Sequence, residues 1–290
     1  MKLLSVAYLL LLSVSPVFAQ KKNYPPSFEG AVEHVYKTLG DVELKLWGFL
    51  PDEWSAEDSR PAILFFFGGG WNAGSPAQFQ PHAEYLADRG MVAFVVDYRV
   101  KSRHGTVAKK CVEDARDAMR FVRSHAGEFG VDPDRIAAGG GSAGGHIAGC
   151  LGVIDEDPES KAAALALFNP ALVLAPFGDS LPWEEDRGAG LKARMGVEPE
   201  ELSPIHHVSE SAPPCVIFHG TADATVPFVT AAQFAVEMKR AGVKCLLHEY
   251  EGAGHGFFNA GRAGAEGQKP AFPKTLEQLD RFLVELEWLE

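Results

Sequence analysis

A serine set among very small residues follows a strand-like segment in the middle of the chain. Ser142 lies in the segment 140–144, Gly-Gly-Ser-Ala-Gly, after the apolar run 135–139 and before a helical pattern. A sharp strand-to-helix turn of this kind forces strained dihedrals, needs small flanking side chains, and lifts the serine hydroxyl clear of the backbone. The pattern predicts a nucleophile that attacks a carbonyl carbon. A glycine-rich loop that only closes tightly, or that holds phosphate, has a similar composition.

An acid and a base follow this serine along the chain. Asp223 comes after the buried-strand pattern 214–219, and His255, framed by glycines, comes after the strand pattern 244–250. Loops at the carboxyl ends of parallel strands meet at one edge of a sheet. We therefore predict a catalytic triad of Ser142, Asp223 and His255, in which the histidine takes the serine proton and the aspartate orients the histidine.

These motifs resemble the α/β-hydrolase superfamily, and within it the esterases of the hormone-sensitive-lipase type and of the bifunctional carbohydrate/feruloyl-esterase type. The resemblance extends over about residues 40 to 290 and rests on five segments in order: 67–71, 97–99, 139–146, 219–223 and 254–257. It implies an α/β fold, an acyl-enzyme mechanism, and no cofactor or metal ion.

The resemblance also implies the groups that hold negative charge in the reaction. The apolar strand pattern 61–67 ends at three glycines, where the family has His-Gly-Gly-Gly. By this comparison the backbone N–H groups of Gly69, Gly70 and Ala143 form the oxyanion hole. Phe67 replaces the family's histidine, so another residue has to brace the loop.

Two tryptophans are candidate substrate contacts. Trp71 adjoins the oxyanion glycines, and Trp183 lies in the segment 170–213, which lacks regular periodicity and is expected to form a short cap. Either side chain offers an aromatic face to a sugar or a feruloyl ring, or is simply packed core. Trp71 and Asn72 are also the candidates for bracing the oxyanion loop.

Several other polar residues are interpreted as structural. We expect Asp97 to organise its loop through Arg99 or nearby backbone, since it precedes the serine and so departs from the family order. His146, in the helix after the serine, is expected to be structural, and His82 to lie on a helix surface. Asp114 and Asp117 are expected to be solvated or ion-paired.

The sequence predicts no metal site and leaves the pairing of the cysteines open. The adjacent His206 and His207 face opposite ways and have no third ligand at zinc spacing, so no metal site is predicted. Four cysteines allow three disulfide pairings in an oxidising compartment, and each also fits as a buried free thiol. They are Cys111, Cys150, Cys215 and Cys245.

Composition and the first residues limit the kind of protein. The chain has 290 residues, 46% of them hydrophobic, and a formal net charge of −12. This indicates one large core and argues against nucleic acid and anionic membrane partners. Lys2, the apolar run 3–12 and the ending Val17-Phe18-Ala19 predict a signal peptide, residues 1–19, that is cleaved before Gln20. The remaining single domain, 20–290, is then exported to the periplasm or outside the cell, with no lasting membrane anchor.

The order of elements predicts the architecture. Two strand patterns at 31–39 and 42–50 predict an antiparallel edge, and strands then alternate with helices up to the C-terminal helical pattern 276–286. Such alternation predicts a mostly parallel sheet with helices on both faces. We expect an exported serine carboxylic-ester hydrolase acting on short-acyl or feruloyl esters, with polysaccharides as the expected carriers. The alternatives are a general short-chain carboxylesterase, an arylformamidase-like amide hydrolase, or a non-catalytic binding module on the same fold.

Overall fold

The structure, a computed structural model, describes residues 24–154, 157–178, 185–264 and 269–290, with the backbone alone for 185–189. The predicted signal peptide and Trp183 lie outside the described residues. Eight strands form one sheet: β1 (Val32–Leu39), β2 (Val42–Phe49), β3 (Arg60–Phe66), β4 (Val92–Val96), β5 (Val131–Gly141), β6 (Ala164–Phe168), β7 (Cys215–Gly220) and β8 (Cys245–Tyr250).

The spatial order of the strands is β1-β2-β4-β3-β5-β6-β7-β8. β2 is antiparallel to both β1 and β4, and every later neighbouring pair is parallel. This confirms the α/β fold with an antiparallel N-terminal edge. β5, which carries the candidate serine at its end, lies in the interior of the sheet between β3 and β6.

Eight helices connect and cover the strands in the described part of the chain. They are α1 (Gln80–Asp88), α2 (Lys101–His104), α3 (Ala108–Ser124), α4 (Ala126–Phe129), α5 (Ala143–Val153), α6 (Glu185–Met195), α7 (Phe228–Arg240) and α8 (Phe272–Glu285). None of these helices combines the length and the apolar character that crossing a bilayer requires.

Side-chain alternation along the strands divides the core between the two faces of the sheet. In β3, Leu64 and Phe66 pack with residues of α3, α5 and α7, whereas Ile63 and Phe65 pack with residues of α1 and α8. Successive residues of a strand point to opposite faces, so a strand buried on both sides is apolar throughout. The continuous apolar run in the sequence reflects this double burial.

The segment predicted as a cap contains α6 and two short 3₁₀ helices, Pro199–Leu202 and Pro204–His207. Met195, at the end of α6, and Ile205 are both buried in the same core cluster as α3 and α5. The cap is therefore anchored to the sheet layer at its C-terminal end.

The prediction for His82 is wrong. Its side chain is fully buried, not on the surface, and its ring lies among Phe79, Phe168 and Phe272 at centroid distances of 4.8, 5.1 and 5.0 Å. Neither ring nitrogen has a hydrogen-bond partner, and burial lowers the pKa of His82 to about 3. His82 is a neutral core residue at the contact between α1 and α8.

Candidate active site

Ser142 occupies a strained turn between β5 and α5. Its backbone has φ 55° and ψ −117°, a conformation that costs free energy for a residue with a side chain. The turn is closed by Ser142 N–H donating to Phe168 O (2.9 Å) and by His146 N–H donating to Ser142 O (2.9 Å). A Cβ at Gly140 would lie 2.5 Å from the carbonyl carbon of Gly144, so only glycine fits there. The turn leaves Ser142 half-buried at the edge of the sheet.

Asp223 and His255 form a hydrogen-bonded pair beside this edge. His255 Nδ1 lies 2.7 Å from Asp223 Oδ2, while Asp223 Oδ1 accepts hydrogen bonds from the N–H groups of Thr225 (2.8 Å) and Val226 (2.9 Å). Burial alone would raise the pKa of Asp223, but hydrogen bonds from His219, His255 and Val226 outweigh it and hold that pKa well below its usual value. An ionised Asp223 makes Nδ1 of His255 the protonated nitrogen and leaves Nε2 free to accept a proton.

A second histidine supports the aspartate from within the core. His219, fully buried at the end of β7, has Nε2 at 2.9 Å from Val226 O and at 3.5 Å from Asp223 Oδ2. One N–H cannot serve both acceptors equally, and the shorter contact with the Val226 carbonyl is the stronger hydrogen bond. His219 therefore mainly fixes the turn that follows Asp223.

The loop that carries His255 packs directly on the serine turn. Gly256 N–H donates to Asn169 Oδ1 (3.0 Å), and Asn169 immediately follows Phe168, the residue that accepts from Ser142 N–H. A Cβ at Gly141 would overlap the ring of Phe258. The carboxyl ends of β5, β6 and β8 thus bring the predicted serine and histidine to one edge of the sheet.

The loop after β3 forms a tight turn next to Ser142. Gly69 and Gly70 have φ values of 127° and 63°, which favour glycine, and Gly69 O accepts from the N–H groups of Asn72 and Ala73, both at 3.1 Å. Across the described residues, no protein acceptor takes the N–H of Gly69 or Gly70. Ala143 is the first residue of α5, so its N–H has no partner within the helix. These three donors remain available to an oxyanion.

Phe67, which replaces the family's histidine, is held by Tyr98. The two rings stack at 4.1 Å, and the Tyr98 hydroxyl donates to Phe67 O at 2.5 Å. Trp71 adds a second brace, because its indole N–H donates to His146 Nδ1 at 3.1 Å. His146 is buried, burial lowers its pKa to about 4, and its Nε2 lies 2.7 Å from Leu202 O. The neutral ring accepts from Trp71 and donates to Leu202, which is a structural role.

Gln78, which the sequence analysis did not single out, connects the oxyanion loop to the histidine loop. Its Oε1 accepts from Gly68 N–H (2.6 Å), and its Nε2 donates to Asn259 Oδ1 (2.9 Å). Asn259 Nδ2 in turn donates to Gly256 O at 2.8 Å. Gln78 and Asn259 are 181 positions apart, so no local sequence pattern could reveal this link.

A cavity of about 370 Å³ opens at Ser142. Trp71 lines it with only 5% of its surface exposed, so it is both a core residue and a wall of the site. The described lining residues are Gly70, Trp71, Ser142, Ala143, Ala171, Leu174, Gly190, Leu191, Arg194, Thr225 and Val226. The cavity is therefore bounded by the oxyanion loop, the serine turn, the loop after Asp223, and α6 of the cap.

Asp97 lies outside this cluster, behind the oxyanion loop. Its carboxylate accepts from the Tyr24 hydroxyl and the Tyr98 N–H (2.8 Å) and lies 3.7 Å from Arg103. Burial raises the pKa of Asp97 to about 6 against these interactions. Of the two partners predicted for Asp97, Arg99 or nearby backbone, the structure shows the backbone contact.

Arg99 binds Asp114 instead, and its Nη2 lies 2.8 Å from Asp114 Oδ1. Asp114 is fully buried, and Lys37 also contacts it at 2.7 Å. Asp117 pairs with Lys37 as well, so both aspartates are ion-paired. Arg99 donates to Asp114 through its backbone N–H as well as through its guanidinium, whereas Asp97 has Tyr24 and Arg103 as partners.

The remaining candidates form no further site. His206 Nε2 and His207 Nε2 contact separate carbonyls, Pro176 O at 3.0 Å and Glu200 O at 2.9 Å. Among the described residues, no group of three histidine, cysteine or acidic side chains is placed to hold a metal ion. All four cysteines are free thiols, and only Cys245 is not fully buried.

This chain is similar to an esterase family model and to solved esterase structures. The family model BD-FAE matches residues 49–170. A thermophilic esterase of Thermogutta terrifontis is 51% identical, with a TM-score of 0.85 over 93% of this chain and 97% of that chain. A structure of that esterase with butyrate bound is 50% identical, with a TM-score of 0.84 over 93% and 99% of the two chains.

Curated relatives are also esterases by name. Esterase LipC of Mycobacterium tuberculosis is 32% identical over 72% of this chain and 57% of its own length. A probable isoprenylcysteine alpha-carbonyl methylesterase of Arabidopsis thaliana is 30% identical over 68% of this chain and 45% of its own length. The chain thus spans about half the length of the curated relatives it matches.

Proposed function

Since the chain belongs to the esterases of the α/β-hydrolase superfamily, we propose that it is a serine carboxylic-ester hydrolase with Ser142 as nucleophile. The observation that most supports this proposal is that Ser142 lies on a strained turn in the wall of a cavity, with the loop of the Asp223–His255 pair bonded next to that turn through Gly256 and Asn169. The turn exposes the hydroxyl, and the ionised aspartate fixes the histidine tautomer that can accept its proton.

In the proposed reaction, Ser142 Oγ attacks the ester carbonyl carbon while His255 Nε2 takes the hydroxyl proton. Asp223 stabilises the imidazolium that results. The N–H groups of Gly69, Gly70 and Ala143 hold the negative oxygen, and loss of one such donor costs roughly 3 to 4 kcal/mol of transition-state stabilisation. The alcohol leaves with the proton from His255, and water then hydrolyses the acyl-enzyme by the same steps in reverse.

Short acyl groups are the proposed substrates. This proposal is supported by the Thermogutta relative, which is 50% identical to this chain and has been solved with the short acid butyrate bound. Acetyl or feruloyl esters of polysaccharides are the proposed natural carriers, supported by the family model matched and by the leader-like segment 1–19. Trp71 would offer an aromatic edge to the sugar or feruloyl ring. A mature protein that keeps residues 1–19 would contradict the proposed export signal, and an N-terminal residue other than Gln20 would contradict the proposed cleavage position.

Single substitutions test the mechanism. Ser142→Ala should lower kcat on 4-nitrophenyl butyrate by about 10⁴-fold or more with an unchanged melting temperature, because only the attacking oxygen is removed. Asp223→Asn should cost roughly 10³-fold to 10⁴-fold through the wrong histidine tautomer. Asp97→Asn is the matched control, a buried carboxylate outside the pair, and should cost less than tenfold.

Three outcomes would contradict parts of this proposal. Retained hydrolysis in Ser142→Ala would favour a binding module. A larger loss in Asp97→Asn than in Asp223→Asn would reassign the acid. Cleavage of short nitrophenyl esters without release of acetate or ferulate from acylated xylan would leave a general short-chain carboxylesterase.

A further inference from the structure

One charged side chain lines the cavity at Ser142. Arg194 lies in the last turn of α6 and is the only ionisable group among the described residues of the cavity wall. Gly190, four positions earlier and on the same helix face, also lines the cavity. The next residue, Met195, is fully buried and fixes this end of α6 on the core. Arg194 is therefore part of the site by its position in the fold.

The charge of Arg194 is not neutralised within the described part of the chain. Arg99 and Arg135 have carboxylate partners at 2.8 Å, and Lys192, two positions from Arg194, pairs with Glu198. Arg194 makes no ion pair and no hydrogen bond to a described residue. The chain has 39 acidic residues against 27 basic ones, so carboxylates are abundant. Although acidic residues are in excess, the Arg194 guanidinium has no carboxylate partner among the described residues, so it is available to a ligand.

The surroundings strengthen its attraction for an anion. Arg194 is itself exposed to solvent, while Trp71, Leu174 and Leu191 supply apolar walls on the cavity side, and these walls screen a charge less than bulk water does. A guanidinium matches a carboxylate with two parallel hydrogen bonds. The net charge of −12 repels anions from the protein as a whole, so binding of an anion in this cavity would depend on Arg194.

We propose that this cavity binds esters that carry a carboxylate, and that Arg194 binds that carboxylate while Ser142 attacks the ester carbonyl. The inference rests on the proposed ester hydrolysis and narrows its substrate class. The carboxylate can belong to the alcohol part, as in an acylated hydroxy acid or uronic acid, or to the acyl part, as in a half-ester of a dicarboxylic acid. Both present the same group to Arg194.

Two matched substrate pairs separate these sources. The alcohol pair is 4-acetoxybenzoate and 4-acetoxybenzamide, and the acyl pair is the 4-methylumbelliferyl half-ester of adipic acid and its terminal amide. In each pair a carboxylate is replaced by a neutral group of nearly the same shape. For each pair, the ratio of kcat/KM for the acid to kcat/KM for the amide is measured in the wild type, Arg194→Gln and Lys192→Gln.

We expect Arg194→Gln to lower this ratio about tenfold in one pair, chiefly through KM, which corresponds to about 1.4 kcal/mol. The pair that responds identifies the side that carries the carboxylate. Lys192→Gln, which removes a neighbouring cation outside the cavity wall, should leave the ratio unchanged. Added salt should lower the ratio in the wild type but not in Arg194→Gln. An equal ratio in wild type and Arg194→Gln for both pairs overturns the inference.

A binding measurement on Ser142→Ala keeps this inference separate from the proposed function. Calorimetric titration of Ser142→Ala with 4-acetoxybenzoate and with the adipate half-ester needs no turnover. At least one acid should bind about tenfold more weakly when Arg194→Gln is added. That result supports the anion site even if no ester is cleaved. If each acid binds Ser142→Ala equally well with and without Arg194→Gln, the inference is overturned even if neutral esters are hydrolysed.

Discussion

Replacing Gln78 with alanine should weaken both the fold and the catalysis, because this side chain joins two loops of the active site. The variant leaves the buried Gly68 N–H without its acceptor at 2.6 Å and removes the hydrogen bond to Asn259. An unsatisfied buried N–H costs about 1 to 3 kcal/mol, and a lost hydrogen bond about 1 kcal/mol. Because Gln78 is only half-buried, water can partly replace it. We expect a loss of about 2 kcal/mol in the free energy of unfolding.

The effect on turnover should follow from the same contact. Gly68 precedes Gly69 and Gly70, the proposed oxyanion donors, and a Cβ at Gly68 would lie 3.4 Å from Ser142 Cβ. A shift of this loop would therefore move the proposed donors relative to the reacting oxygen. Oxyanion contacts act mainly in the transition state. We expect kcat on 4-nitrophenyl butyrate to fall about tenfold with little change in KM.

Urea unfolding followed by circular dichroism and steady-state kinetics measure the two effects. Gln80→Ala is the matched control, since Gln80 bonds only to the exposed Glu84 at 2.8 Å, and it should change stability by less than about 0.5 kcal/mol. A double-mutant cycle with Asn259→Ala isolates the contact between the loops. A stability loss below about 0.5 kcal/mol for Gln78→Ala, or equal losses for both glutamine variants, would refute the reasoning.

Two further predictions concern buried titratable groups. Burial raises the pKa of Asp97 from 3.8 to about 6, so between these pH values the folded protein keeps a proton that the unfolded chain releases, and stability should fall by up to about 3 kcal/mol as pH rises through this window. Asp97→Asn should remove this fall in urea titrations at pH 4 and pH 7, and an unchanged slope would contradict the assignment. His82→Phe should raise the melting temperature, because it replaces two ring nitrogens that lack partners with carbon. A lower melting temperature would mean that an added ring volume strains the cluster more than the nitrogens do.

Local patterns made much of the fold predictable. A strand segment covered on both faces must be apolar, as β3 is from its second residue onward, and a turn as tight as the one at Ser142 tolerates only very small neighbours. Both features are therefore visible in consecutive residues of the sequence. The Asp223–His255 contact could be anticipated because parallel strands bring their carboxyl ends to one edge. These features depend on element order and side-chain size, which the sequence displays directly.

Contacts between distant side chains were not predictable in the same way. The Gln78–Asn259 hydrogen bond and the Tyr24–Asp97 contact join residues far apart in the chain. Each of these residue types can bond to many others, so the sequence does not indicate the partner. His82 is different, because a usable signal was present. It shares a helix face with Phe79 and Leu86, and this spacing places it inside the core.

The glycines around the site differ in whether they tolerate a side chain. At Gly140 and Gly144 an added methyl group would meet backbone atoms at 2.5 Å and 2.0 Å, and the backbone there cannot move aside. At Gly190, on the cavity face of α6, an added methyl group would meet no atom of the described residues within 4 Å. Substitutions on the cap can therefore reshape the wall beside the substrate while the reacting groups keep their geometry. Such a protein can therefore evolve a new substrate preference through a few substitutions in α6, while its reacting groups stay unchanged.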